Sequence, residues 1–150
     1  MDILKVLIII VLGNALIWGL FFWQRRRLID RTRVAVERSG ESWVIPPEKG
    51  SYQGMLRGIS TKTMGAMGLT DSRLIFIPPW GRNMEYAIED MVAVSENTWF
   101  AGNYWSGRPF IILKLADGTE VGFQTRNHQR WMEEIRSRIR SGGDDSPQVA

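Results

Sequence analysis

The sequence predicts a mainly β domain closed by one C-terminal α-helix, with a transmembrane helix in front of it. Three observations predict this. Val6 to Trp23 is an 18-residue run with one polar side chain, Asn14. From Gly50 to Phe123, short apolar runs alternate with Gly, Pro, Asn and Asp at turn positions, as antiparallel strands do. After Thr125 the apolar spacing turns helical.

The span comes first. From Ile3 to Trp23 a helix would rise ~1.5 Å per residue, enough to cross a hydrocarbon core of ~30 Å. Twelve of the residues from Val6 to Trp23 are Leu, Ile, Val or Phe. At roughly −0.3 to −0.6 kcal/mol each, they contribute on the order of −4 to −7 kcal/mol to insertion. Lys5 lies near the end, where a long side chain snorkels to the interface. Trp18, Phe21, Phe22 and Trp23 cluster at the second boundary as an interfacial aromatic belt. Arg25, Arg26 and Arg27 follow at once, and the positive-inside rule then puts the C-terminal side in the cytoplasm. A cleaved signal peptide would have a shorter apolar stretch, a basic start and small residues at its exit. Here Asp2 and Lys5 cancel, and bulky residues occupy the exit.

Charge sharpens this division. Residues 24–40 carry six arginines against Asp30 and Glu37, whereas residues 41–141 carry twelve basic and eleven acidic groups. The basic excess therefore sits beside the apolar run, which suits a membrane flank better than a nucleic-acid-binding face. Its arginines set topology and, near the surface, attract anionic headgroups at about 1 kcal/mol each. Leu28, Ile29, Val34 and Val36 give a weak apolar pattern on a possible extension of the helix. The expected organisation is a transmembrane helix over 3–23, a basic juxtamembrane linker over 24–49, a folded domain over 50–141 and a disordered tail over 142–150.

Within the domain, Pro46-Pro47 is expected to prevent a regular element, so the first strand is placed at Tyr52 to Ser60. Met64 to Leu69 and Arg73 to Ile77 follow, separated by the turn chemistry of Thr70-Asp71-Ser72. Met84 to Ile88 and Met91 to Ser95 are short strands on either side of a bend at Glu89-Asp90. Pro109 to Leu115 and Thr119 to Phe123 flank Asp117-Gly118, a strong hairpin signal. Trp131, Met132, Ile135 and Ile139 share one face of the last helix, which Gly142-Gly143 ends. The whole is a small seven-stranded barrel or sandwich with a helix over its open end.

Chemistry is sparse. There is no cysteine and only one histidine, His128, so thiol nucleophiles and thiolate zinc sites are excluded. No base is paired with a nucleophile, and no glycine-rich loop is followed by Lys-Ser/Thr. No catalytic residue, metal site or cofactor is expected. The most unusual stretch runs from Trp99 to Arg108, with four aromatics and two glycines between strands. Trp99, Phe100, Tyr104, Trp105 and Arg108 are the candidate contacts to a membrane or partner, the alternative being that Trp99 and Phe100 fold back over the core. Trp80 poses the same question, weighted toward packing. Arg57, Lys62, Arg73, Arg82 and Arg108 read as scattered surface charge.

Two stretches carry a resemblance. Gly65-Ala-Met-Gly-Leu-Thr-Asp-Ser-Arg-Leu-Ile-Phe76 holds a strand, a Leu-Thr-x-x-Arg-Leu turn and an apolar strand, and Tyr86-Ala-Ile-Glu-Asp-Met-Val92 follows. With the Asp117-Gly118 hairpin and a closing helix bearing Trp131, the region from about Gly50 to Arg140 resembles the pleckstrin-homology-like superfold, and within it the GRAM and bacterial PH-like domains. The resemblance implies a seven-stranded, two-sheet barrel capped by a helix, and a binding module for lipids or proteins rather than an enzyme. Phosphoinositide-binding members of the superfold concentrate basic residues around the first two strands, where this chain has Arg57 and Lys62, with Arg73 nearby.

The expected function is thus a non-enzymatic, single-pass membrane protein. It would present a cytoplasmic PH/GRAM-like module to membrane lipids, anionic headgroups among them, or to a membrane-bound protein. Tethering raises the effective concentration of such a module near its target. The alternative is a scaffold or assembly subunit that packs on itself or on another subunit, and neither reading involves nucleic acid.

Overall fold

The computed structural model describes residues 3–56, 61–104 and 107–143. Its first element, α1, is a single helix from Ile3 to Arg38, so the apolar run and the basic flank form one rod. Asn14, the polar residue inside the run, donates its side-chain amide to the Ile10 carbonyl at 2.9 Å, which satisfies one of its N–H groups within the helix. The helix stops at a Schellman cap. Glu41 N–H donates to the Val36 carbonyl at 3.3 Å, Gly40 N–H to the Glu37 carbonyl at 3.2 Å, and Gly40 takes φ +78°.

A seven-stranded antiparallel sheet follows. Its strands are β1 (Trp43–Met55), β2 (Thr63–Thr70), β3 (Arg73–Ile77), β4 (Met84–Ala87), β5 (Met91–Asn97), β8 (Phe110–Leu115) and β9 (Glu120–Thr125). A separate two-stranded hairpin, β6 (Trp99–Phe100) and β7 (Asn103–Tyr104), lies between β5 and β8 in the chain. The spatial order is β4-β3-β2-β1-β9-β8-β5. The edge strands β4 and β5 do not pair, so the sheet folds over as a sandwich and does not close into a barrel. The last helix, α2, runs from His128 to Gly143.

Two expectations are corrected. β1 starts at Trp43 and passes through Pro46-Pro47, where a break was expected. The register against β2 shifts between Ile45 and Glu48, so the prolines sit in a bulge, where the missing N–H groups cost no ladder bond. The strand also ends at Met55: Leu56 lies in a turn, and residues 57–60, Arg57 among them, lie outside the described residues. Second, the 99–108 stretch is not simply a loop. Ala101 and Gly102 both take positive φ, 46° and 79°, and close a two-residue hairpin between β6 and β7.

The inner face of the sheet holds the core. Met67, Leu69, Leu74, Phe76, Ile111, Leu113, Val121 and Phe123 are buried there with Trp131, Met132 and Ile135 of α2. Tyr52, Phe76, Tyr86 and Phe123 form an aromatic cluster with ring centroids 5.7 to 6.1 Å apart. Burial raises the pKa of both tyrosines, and for Tyr86 the neighbouring Tyr52 adds to it.

Polar bonds fix α2 as well. The bulge in β1 turns Glu48 toward the helix start, where its Oε1 accepts from Trp131 Nε1 at 2.7 Å and from Thr125 Oγ1 at 2.7 Å. One carboxylate thus joins β1, β9 and α2. At the other end of α2, Arg138 holds Asp71 of the β2–β3 turn at 3.0 Å and Glu134 at 2.7 Å.

Candidate functional site

The outer face of the sheet is shared among three occupants. Over β2 and β3 lies the C-terminal part of α1. Val36 is buried against Ala66, Ile75 and Ile77, with Ile29 and Trp43 beside them. Ile29, Thr32 and Val36 recur at helical spacing, so this stripe is the docking face, while Val34 stays exposed. Asn83, the last residue of the β3–β4 turn, donates to Thr32 Oγ1 at 3.1 Å. Further up, the rings of Trp80 and Phe21 meet at 5.1 Å between centroids. The N-terminal part of α1 leaves the domain with its apolar side chains exposed, and it is long and apolar enough to cross a membrane.

Over β8 and β9 lies the β6–β7 hairpin. Phe100 is 2% exposed and packs with Phe110 and Ile112. It rests directly on Gly122, where a Cβ would run into its ring. Phe100 is therefore a packing residue and not a contact residue: its side chain is the hook that holds the hairpin down. Trp99 and Tyr104, by contrast, are 56% and 64% exposed. Trp105 lies outside the described residues.

Between these two covers runs the third occupant, an open groove of about 580 Å³ along β1 and β9. Its floor is polar, with Ser51, Gln53 and Gln124, and Met64, Tyr104 and Phe110 add apolar walls. Lys49, Lys62, Arg108 and Arg126 also line it, and no carboxylate does among the described residues. Lys62 Nζ donates to Asn103 Oδ1, tying the start of β2 to the hairpin. Gln124 Nε2 donates to the Arg108 carbonyl at 3.3 Å, which steadies the segment entering β8.

A second hollow, of about 980 Å³, shows what makes the groove distinctive. Glu41, Asp71, Glu134, Arg73 and Arg138 line it, but they pair with one another. Arg73 bonds Glu41 at 3.1 Å and Glu85 at 2.7 Å, and Arg138 bonds Asp71 and Glu134. Burial alone would raise the Glu41 pKa, but the Ser72 hydroxyl and the Arg73 charge outweigh it and hold the carboxyl below its usual value. With Glu89 also lining it, the hollow is net acidic, and both of its arginines are paired with carboxylates. Among the described residues, the groove's four cations have no such counterions.

Of the residues expected at a site, then, Arg108 lines the groove, Trp99 and Tyr104 are exposed on the hairpin, and Phe100 is withdrawn. Arg26 and Arg27 are exposed on α1, with Arg27 Cζ 3.8 Å above the Trp23 ring, while the side chain of Arg25 is outside the described residues. Of the surface charges expected to be scattered, Lys62 and Arg108 converge in the groove, Arg73 is held by two carboxylates, Arg82 is exposed between β3 and β4, and Arg57 lies outside the described residues. Lys49 and Arg126 carry no local signal, because each is a lone cation in its own segment. Only the β1–β9 pairing, Gly50 with Thr125, brings them together. His128 lies 3.6 Å from Glu96 and thereby joins α2 to β5.

No family model matches the chain, and no curated protein does. Among solved structures it is similar to the Vps36 N-terminal PH domain, at 18% identity and a TM-score of 0.50, over 69% of this chain and 82% of that one. It is also similar to the C-terminal domain of an unknown protein from Leishmania infantum, at 12% identity and a TM-score of 0.48, over 82% of this chain and 98% of that one. The first likeness, with the strand order and the closing helix, makes this a PH-like fold.

Proposed function

We propose that the chain is a single-pass membrane protein whose α1 holds a PH-like module at the cytoplasmic surface, where the basic groove takes an anionic lipid headgroup. The observation that carries this is the uncompensated charge of Lys49, Lys62, Arg108 and Arg126 around a polar floor. Arginine meets phosphate through two parallel N–H bonds and lysine as a point charge, so this set suits a phosphate-bearing ligand. The exposed apolar half of α1 and the arginines at its end support the location.

Titration of the purified full-length chain in neutral detergent tests the ligand. Short-chain phosphatidylserine should bind, weaken as salt rises and bind far less to a Lys62→Glu/Arg108→Glu variant. Equal binding of phosphatidylcholine, or no effect of the variant, would overturn the assignment. Binding of an acidic peptide but of no lipid would transfer the groove to a protein partner. Carbonate extraction of cell membranes tests the anchor: the full-length chain should stay in the pellet, and its release would remove the span.

A further inference from the structure

We propose that the β3–β4 turn, residues 78–83, is a second membrane anchor. Trp80 enters the headgroup layer beside Phe21 and Arg82 meets lipid phosphate, so the domain stands in one fixed orientation against an anionic bilayer. This rests on the reading of α1 as a membrane span.

The hairpin is tied to α1 at successive levels. Ile77 packs with Val36, Asn83 bonds Thr32 at 3.1 Å, and the Trp80 ring meets Phe21 in a tilted contact, 5.1 Å between centroids. Phe21 precedes Trp23, the last residue of the apolar run, by two positions, which at ~1.5 Å per residue puts it ~3 Å deeper. A ring in contact with Phe21 shares that depth. If α1 crosses the bilayer to Trp23, Trp80 cannot stand in bulk water.

The tip has the composition for that place. Trp80 is 61% exposed, so its packing on Phe21 leaves most of the ring uncovered. Indole is the side chain most at home where one end is apolar and the other wet. Pro78 and Pro79 bring no N–H groups into the layer, which lowers the cost of placing a turn there. Arg82 is exposed, with no ion pair among the described residues, and lies in the same tip. Arg26 and Arg27 on α1 add to the positive field at this level.

The register extends the argument to the groove. Ala66 of β2 pairs with Ile77, so the residues before Ala66 run on beside the tip. Met64, 62% exposed, and Lys62 therefore lie at the membrane end of the sheet, and the groove opens toward headgroups there.

The chain has no cysteine, so single cysteines can be spin-labelled in the full-length protein in anionic nanodiscs. Arg82→Cys reports the tip, Leu12→Cys the centre of the span, and Glu89→Cys, in the turn beyond the far end of β4, the water. Labels at 12 should be reached by oxygen and shielded from a nickel chelate, labels at 89 the reverse. The label at 82 should be several-fold less accessible to the chelate than the label at 89. If 12 is shielded and 82 is as accessible as 89, the second anchor is wrong and the span stands. If 12 is accessible to the chelate, the span itself fails and the anchor with it.

Discussion

The two faces of one sheet are built on different terms. The inner face is continuous: aromatic and aliphatic side chains from six strands meet α2 in one cluster, and Glu48 and Arg138 fasten the helix at both ends. The outer face is divided among a docked helix, a hairpin held by one phenylalanine, and an open groove whose cations have no carboxylate partner among the described residues. The inner face makes the domain stable. The outer face gives up apolar burial to hold other things: a rod that leaves the domain, two exposed aromatics and a charged channel. The difference teaches that in this chain buried residues report on the fold, while the half-covered ones form the surface on which the proposed function rests.

The comparison can be broken at its strongest point. Trp131→Ala removes the largest fully buried side chain and the hydrogen bond to Glu48, so it should cost about 3–5 kcal/mol in denaturant unfolding of the domain. A loss as small as that of a surface substitution would mean that α2 is not part of the core. On the outer face, Val36→Asp puts an unpaired charge between α1 and the sheet. It should forfeit the docking of α1, about 1.5–3 kcal/mol, read as faster amide exchange over residues 29–38 with β8 and β9 still protected. Equal loss over the whole sheet would show that the two faces are one cooperative unit. Gly122→Val should drive Phe100 off its seat at about 1–3 kcal/mol and free the hairpin. Exchange at β6–β7 should then rise, and groove binding should weaken because Lys62 and Tyr104 lose their frame.

The inner face was legible in the sequence and the outer face was not, for a physical reason. Alternation in β9 and the helical spacing of Trp131, Ile135 and Ile139 each state burial within one segment, so core strands and α2 could be read locally. The groove is a product of register. Lys49, Lys62, Arg108 and Arg126 come from four segments, and no local pattern joins them. Pro46-Pro47 misled because prolines that break a strand and prolines that fill a bulge look alike without the partner strand. The hairpin at 99–104 was hidden by Ala101, which stands where a left-handed turn asks for Gly or Asn. That alanine gives the next prediction. At φ 46° its Cβ is strained, so Ala101→Gly should raise hairpin stability by up to about 1 kcal/mol, with slower exchange at β6 and β7. A destabilised hairpin would mean that the added freedom of glycine in the unfolded chain outweighs the strain.

The smallest effect concerns the joint between the two regions. Glu41 follows the cap of α1 and accepts from Ser72 at 2.8 Å and from Arg73 at 3.1 Å, so it fastens the end of the rod to the β2–β3 turn. Its pKa in the folded protein lies below that of an ordinary glutamate carboxyl. A carboxyl whose folded pKa is depressed adds stability that is fully present above its unfolded pKa and is lost as pH falls through the folded one. Between pH 7 and pH 5.5 the joint should therefore not change, and below about pH 4.5 it should loosen progressively. The pair is partly exposed, so the contribution is that of a surface ion pair, about 0.2–1 kcal/mol, and salt should reduce it. Glu41→Gln keeps the shape and removes the charge. It should lower stability at neutral pH by that amount and flatten the acid limb of the curve. A Gln variant with an unchanged acid limb would assign that limb to other carboxyls, and the rod would then be held to the domain by Val36, Thr32 and Trp80 without help from charge.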